Sequence, residues 1–340
     1  MKPWEKYFND PTTFSLATSE GGGGVKIRKP FVAIIGAGQV GATSAQRILE
    51  RNLADVVLFD VVAGMPQGKA LDLMEAAPIE GHDRLIFGTN DYQDIEGAEI
   101  VVVTAGLPRK PGMTREDLLS LNAKIIKDVC GNIKRYAPES KVIIVTNPLD
   151  IMTHLAQQVL GFPNTRVFGM AGVLDTARMR FFIGERLGKV SKDVEAVVLG
   201  GHGDLMVPVS SHTKVKGEAV SRLIPAEELQ KIEQRTRDGG AEIVALLKTG
   251  SAFYAPASSV CEMVRSVLRD EKKILPVCAF MKGQYGIQDI YFGVPARLGK
   301  AGVEAIVEIA LNEDEKKSLT LSAEKVKQGI LEVERLKLSQ

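Results

Sequence analysis

The sequence predicts an α/β fold, a doubly wound parallel sheet followed by a second, mixed α+β domain. Three observations predict it. Apolar runs of strand length, Phe31 to Ile35, Val56 to Phe59, Ile100 to Val103 and Lys141 to Val145, alternate with stretches of helical spacing. These runs are apolar at nearly every position, as strands buried on both faces of a parallel sheet must be. The first of them leads directly into Gly36-Ala37-Gly38-Gln39-Val40-Gly41, a G-x-G-x-x-G turn followed by a helical pattern from Ala42 to Arg51.

Strand, glycine turn and helix in that order make the phosphate-binding corner of a Rossmann-type domain. Gly36 makes the turn, Gly38 lets backbone amides approach a pyrophosphate, and Gly41 permits close packing of helix on strand. The helix N-terminus offers unpaired N–H groups and a positive dipole end. The second strand ends in Asp60, about 20 residues beyond the turn, where this fold places an acid on the adenosine ribose. That carboxylate would bond ribose hydroxyls and repel a 2′-phosphate, so NAD is favoured over NADP as cofactor.

Further along, Met65 to Ala77 carries helical spacing in Ala70, Leu71, Leu73 and Met74, suited to packing on the sheet or on a second subunit. Leu85 to Phe87 adds a strand. The nucleotide domain is expected over 30–150. Residues 1–29 precede it, with scattered aromatics (Trp4, Tyr7, Phe8, Phe14) and the run Gly21 to Gly24. They read as a flexible extension, or as an arm whose aromatics dock on the body or on a partner. The stretch lacks a signal-peptide core, and Glu5, Asp10 and Glu20 disfavour a transit peptide.

Two loops look functional. Ala105 to Arg115 follows a strand, where open α/β sheets bind ligands, and holds Arg109 and Arg115, with Thr114 and Asp117 placed to cap the next helix. Alone it reads more simply as a solvated basic turn. Beside a nucleotide site, two guanidiniums suit a lid that grips carboxylates and excludes water. Val145-Thr146-Asn147-Pro148 closes a strand with an amide able to bond cofactor or substrate, although Asn-Pro is also a common turn.

The second domain is expected over 151–340, as the catalytic domain. Leu149 to Leu160 reads as a helix. Val173 to Arg180 reads as another, on which Asp175 and Arg178, three residues apart, share a face. In Val198-Leu199-Gly200-Gly201-His202-Gly203-Asp204 a strand ends by presenting His202 on a tight, open turn, where an imidazole can exchange a proton near neutral pH. The plain alternatives are a surface ion pair and a solvated histidine. Helices follow over Ala226 to Lys248 and Pro256 to Arg269. Strands are expected at Ile274 to Ala279, Ile290 to Val294 and Val303 to Ile309, and a final helix starts at Asn312 and Glu315 with Val326, Ile330, Val333 and Leu336 on one face.

Composition narrows the function classes. The 340 residues are 45% apolar and 25% charged, with a net charge of +1, which gives no electrostatic case for a nucleic-acid or membrane partner. A charged substrate must be met locally. Cys130, Cys261 and Cys278 form no metal or redox spacing and read as buried thiols of a cytoplasmic protein, with no metal expected.

With GAGQVG, GLPRKPGMTRED, VTNPLD, LDTAR and GGHGD in order, the chain from about residue 30 onward resembles the lactate/malate dehydrogenase superfamily, and most of all the lactate-dehydrogenase-like branch of the malate dehydrogenases. The resemblance implies roles by matching position. His202 is the proton donor and acceptor, Asp175 pairs with it, Arg178 binds the substrate C1 carboxylate and Arg115 polarises the carbonyl. Asn122 and Val145 to Asn147 contact NAD, with Asn147 also touching substrate. Arg109 stands where lactate enzymes of the family usually hold glutamine, so the second carboxylate of malate or oxaloacetate has a partner. The implied reaction is the reversible oxidation of (S)-malate to oxaloacetate in a homodimer or homotetramer. The rivals are another 2-hydroxy-acid dehydrogenase and a catalytically silent NAD-binding protein.

Overall fold

Each apolar run becomes a strand because its side chains leave water on both sides at once. The computed structural model describes residues 27–107 and 114–338, with the backbone alone at 115 and 336–338. Strands β1 (Phe31–Ile35), β2 (Asp55–Phe59), β3 (Ile86–Thr89), β4 (Ile100–Val103), β5 (Lys141–Ile144) and β6 (Val167–Gly169) pair in parallel, in the order β3-β2-β1-β4-β5-β6. This is the order of a dinucleotide-binding sheet, with its switch point between β1 and β4. Val32, Ile34, Val57, Val102 and Ile143 are fully buried.

The connecting helices cover both faces. They are α1 (Gln39–Glu50), α2 (Met65–Glu80), α3 (Arg115–Tyr136), α4 (Leu149–Leu160) and α5 (Gly172–Leu187). The parallel run does not stop at residue 150, since β6 completes it. Strands β7 (Val194–Glu195), β8 (Val198–Gly200), β9 (Met206–Pro208), β10 (Lys214–Val215) and β11 (Glu218–Ala219) then build two small sheets, with β8 and β9 forming an antiparallel pair. The short α6 (Val220–Leu223) leads to α7 (Ala226–Leu247), which packs on α5 over a satellite core of Met179, Ile183, Val194, Val198 and Ile232. Helix α8 (Tyr254–Leu268) lies against α1.

Strands β12 (Lys273–Lys282), β13 (Gln288–Gly299) and β14 (Gly302–Ile306), expected within the second, α+β domain, also extend the first sheet, which the sequence reading did not foresee. The junction is antiparallel, with Cys278 opposite Gly169. Physically, β12 closes the edge that β6 would otherwise leave unpaired, and Val277, Cys278 and Ala279 are fully buried there. The last helix, α9 (Glu313–Leu338), opens with reciprocal bonds: Asn312 N–H donates to Glu315 Oε2 at 3.0 Å and Glu315 N–H to Asn312 Oδ1 at 2.9 Å. Val326, Ile330 and Val333 are buried as expected. The Leu336 side chain lies outside the described residues.

Of the expected N-terminal extension, residues 1–26 lie outside the described residues. Arg28 is tied to the sheet, its guanidinium donating to buried Asp55 at 2.9 and 3.0 Å. No helix of the described residues is long and apolar enough to cross a membrane.

Candidate active site

The carboxyl ends of β1, β2, β4 and β5 bring the glycine turn, Asp60, Ala105 to Leu107 and Thr146-Asn147 to one edge of the sheet. At Gly36 the backbone takes φ +107°, and an added Cβ would stand 2.7 Å from Thr104 Oγ1. At Gly41 a Cβ would collide with the Gly36 carbonyl at 1.9 Å. Both positions therefore require glycine. Gly38 faces open space, and as the N-cap of α1 it supplies no side-chain cap, which leaves the first N–H groups of the helix for an anion.

Asp60 closes this corner. Its Oδ2 accepts the Ala37 N–H at 2.7 Å and its Oδ1 the Val62 N–H at 2.9 Å, which leaves lone pairs for hydroxyl donors. Lys69 of α2, which the sequence reading overlooked, donates to the Ala37 carbonyl at 2.6 Å. A bare glycine peptide, an uncapped helix start and a carboxylate at the strand end fit a dinucleotide.

The next two loops are clamped together. Asn122 of α3, only 1% exposed, accepts the Leu107 N–H through Oδ1 at 2.8 Å. Its amide hydrogens go to the Leu107 carbonyl at 3.2 Å and the Asn147 carbonyl at 2.8 Å. The side chain expected at the cofactor thus spends both donors on holding the loops in register. Thr146 Oγ1 donates to the Ala105 carbonyl at 2.6 Å and Val145 N–H to Val103, so the β4 and β5 ends are stitched together while Asn147 stays exposed.

Beyond them lies the histidine cluster. His202 stands on the turn between β8 and β9, and its Nδ1 is 2.9 Å from Asp175 Oδ2 on α5. The other oxygen of Asp175 lies 3.5 Å from Arg178 Nη1, one helical turn along. Asp175 is 2% exposed, Arg178 13% and His202 15%, so the ion pair is far from the solvated surface pair that its spacing also allowed. Gly239 of α7 makes room for the arginine, since a Cβ there would sit 3.0 Å from Arg178 Cδ.

Electrostatics favour a charged imidazole. Burial opposes the imidazolium, but the Asp175 carboxylate, helped by Asp150, outweighs both burial and Arg178 and raises the His202 pKa above its ordinary value. Burial lowers the Arg178 pKa, with Asp175 acting against that shift. With Nδ1–H donated to Asp175, Nε2 carries the lone pair that takes up a proton.

Asp150 was legible as an acid in the first turn of a helix and as the end of VTNPLD, with no role assigned to it. In the structure its Oδ2 accepts the His202 backbone N–H at 2.8 Å. Ser322 of α9 is a second unforeseen contact, accepting the Gly201 N–H at 3.0 Å and donating to the Leu205 carbonyl at 2.7 Å. Ser322 carried no sequence signal beyond its local position. Arg109 lies outside the described residues, as does the Arg115 side chain. The backbone of Arg115 opens α3, where Thr114 and Asp117 form the expected capping box.

Comparison with known proteins follows this geometry. The family model described as lactate/malate dehydrogenase, NAD binding domain, matches residues 31–169, and the one described as lactate/malate dehydrogenase, alpha/beta C-terminal domain, matches residues 172–337. A malate dehydrogenase of Nostoc punctiforme is 54% identical over 301 residues, 88% of this chain and 92% of that protein. The crystal structure of Cryptosporidium parvum malate dehydrogenase superposes with a TM-score of 0.88 at 42% identity, covering 91% of this chain and 100% of the other. The lactate dehydrogenase of the same organism, solved with lactic acid and nicotinamide adenine dinucleotide, gives 0.86 at 42% identity, covering 90% and 98%. Sheet order, glycine turn and both matched domains agree: the chain belongs to the lactate/malate dehydrogenase family.

Proposed function

We propose that this chain is an NAD-dependent malate dehydrogenase, interconverting (S)-malate and oxaloacetate with His202 as proton acceptor and donor. The observation that carries the reading is the buried His202, Asp175 and Arg178 cluster at 2.9 and 3.5 Å. Bound NAD would supply hydride-accepting and hydride-donating chemistry at C2 of the substrate. The turn Gly36 to Gly41 would receive its pyrophosphate on the unpaired amides that open α1, since the Gly36 and Ala37 N–H groups are already given to Phe59 and Asp60, and Asp60 would take its adenosine ribose, with Val145 to Asn147 and Asn122 forming the adjoining wall.

His202 Nε2 removes the hydroxyl proton during oxidation, and Asp175 stabilises the imidazolium that forms. Arg178 holds the C1 carboxylate in a fork and Asn147 bonds the substrate, which fixes C2. Arg115 stabilises negative charge on the carbonyl oxygen during reduction. Arg109 pairs with the second carboxylate. With pyruvate it would be enclosed beside a methyl group, an uncompensated buried charge costing roughly 3 to 5 kcal/mol. The likeness to a lactate dehydrogenase keeps lactate oxidation as the second reading, and Arg109 weighs against it.

The protein acts in the cytoplasm as a homodimer or homotetramer. Exposed apolar side chains support assembly: Leu71 and Ile79 on α2, Phe181 on α5 and Leu246 on α7. The deciding experiment compares oxaloacetate with pyruvate as oxidant of NADH and of NADPH, followed by nucleotide absorbance. The reading requires oxaloacetate and NADH to be the preferred pair by kcat/KM; preference for pyruvate would replace it with the lactate reading.

A further inference from the structure

Asp150 is a buried carboxyl that the proton exchange at His202 leaves unused. It is the second residue of α4, three residues after Asn147, and it is 5% exposed. An acid placed only to favour the helix dipole would sit at the surface, where water solvates it. Here Oδ2 takes the His202 backbone N–H at 2.8 Å, while Oδ1 is buried without a hydrogen-bond partner, near the Cys278 thiol of β12. Burial raises the carboxyl pKa, with the His202 N–H acting against the shift. Burying a carboxyl is costly, so the bond its Oδ2 makes to His202, the geometrically well-formed one among the described residues, is where its effect lies.

That bond links two functional loops. The His202 turn is gripped at successive amides, Gly201 by Ser322 from α9 and His202 by Asp150 from α4. The Asn147 loop is in turn fixed to Leu107 through Asn122. A continuous path therefore runs from the strand ends, through Asn147 and Asp150, to the imidazole.

We propose that Asp150 is a positioning residue: by accepting the His202 backbone N–H it sets the imidazole at a fixed distance from the Asn147 loop, so that the substrate-binding amide and the proton acceptor move as one unit. The inference rests on the reading of His202 as proton acceptor. What the position requires is an acceptor oxygen of the right reach, and the amide of asparagine supplies one without charge. The charged and titratable groups around His202 are Asp175 and Arg178 from α5 and Asp150 from α4; His202 and Cys278 face Asp150.

The test compares full-length wild type with Asp150→Asn and Asp150→Leu, the latter keeping the branched heavy-atom shape but removing the acceptor. Asp150→Leu is expected to bind NADH as wild type does, by fluorescence titration, while kcat for oxaloacetate falls roughly 10- to 100-fold, the loss of one buried hydrogen bond. Asp150→Asn is expected to keep kcat within about threefold, with the pH limb moving only towards lower pH as the His202 imidazolium loses the help of the Asp150 charge. A fully active Asp150→Leu protein would overturn the inference. So would an Asp150→Asn protein that binds NADH but loses turnover at every pH, because charge and not position would then be the operative property. If Asp150→Leu fails to fold, Asp150→Asn decides alone on the same criteria. A wild type that oxidises no NADH with oxaloacetate would overturn the reading of the site itself, a result distinct from either.

Discussion

The Nδ1 atom of His202 lies 2.9 Å from Oδ2 of Asp175, and the second oxygen of that carboxylate faces Arg178 Nη1 at 3.5 Å. One buried acid thus orients the imidazole and steadies the guanidinium, and under the proposed roles this couples proton position to substrate position. The raised His202 pKa has a direction in the rates. Reduction of oxaloacetate needs the imidazolium, so its kcat/KM holds at low pH and falls as pH rises through the raised value; malate oxidation needs the neutral ring and rises over the same range. Asp175→Asn removes the charge that holds the proton, moving both limbs to lower pH and cutting turnover roughly 10²- to 10⁴-fold. Rate profiles in both directions check this. The same linkage makes the histidine stabilising at low pH, a contribution lost as pH rises through its folded value.

Arg178→Lys keeps the charge but replaces a planar fork with a point charge on a flexible stem. The substrate carboxylate loses bidentate contact. We expect KM for oxaloacetate to rise roughly 10- to 100-fold while the NADH dissociation constant stays unchanged, measured by steady-state kinetics beside fluorescence titration.

Gly239→Ala separates stability from activity. Within α7 alanine is the better helix former by about 1 kcal/mol, so the melting temperature should hold or rise. The new methyl meets Arg178 Cδ at 3.0 Å and displaces the guanidinium by a few tenths of an ångström. A several-fold loss in kcat/KM for oxaloacetate with unimpaired thermal stability is the expected pair of results, read by calorimetry and kinetics.

Arg109→Gln should move preference from oxaloacetate towards pyruvate. Removing an enclosed guanidinium that lacks a partner with pyruvate is expected to shift the ratio of kcat/KM values by roughly a few hundredfold. An unchanged ratio would count against the assignment of Arg109 to the second carboxylate.

Legibility in the sequence followed the range of the interactions. The parallel strands were readable because burial on both faces leaves a continuous apolar run, and GAGQVG was readable because the spacing of its glycines is itself the signature of a strand–turn–helix corner, with Gly41 set directly against the Gly36 carbonyl. The Thr114–Asp117 and Asn312–Glu315 caps were local in the same way. The union of β12 with β6 was hidden, because a single antiparallel junction between Cys278 and Gly169 leaves no mark in either segment. Asp150 and Ser322 were hidden too: their partners, His202 and Gly201, lie far along the chain, and nothing in a helix pattern says which polar side chain turns inward. Asn122 was anticipated as a contact residue, yet its two donors close a loop clamp that only the folded geometry displays.

The central claim is that His202 carries the proton, and His202→Asn tests it most directly. Asparagine retains a polar side chain near Asp175 but cannot deliver a proton near neutral pH. The account predicts NADH binding like that of wild type with oxaloacetate turnover lowered by roughly 10²- to 10⁴-fold. Turnover within a few-fold of wild type in the same protein would contradict it.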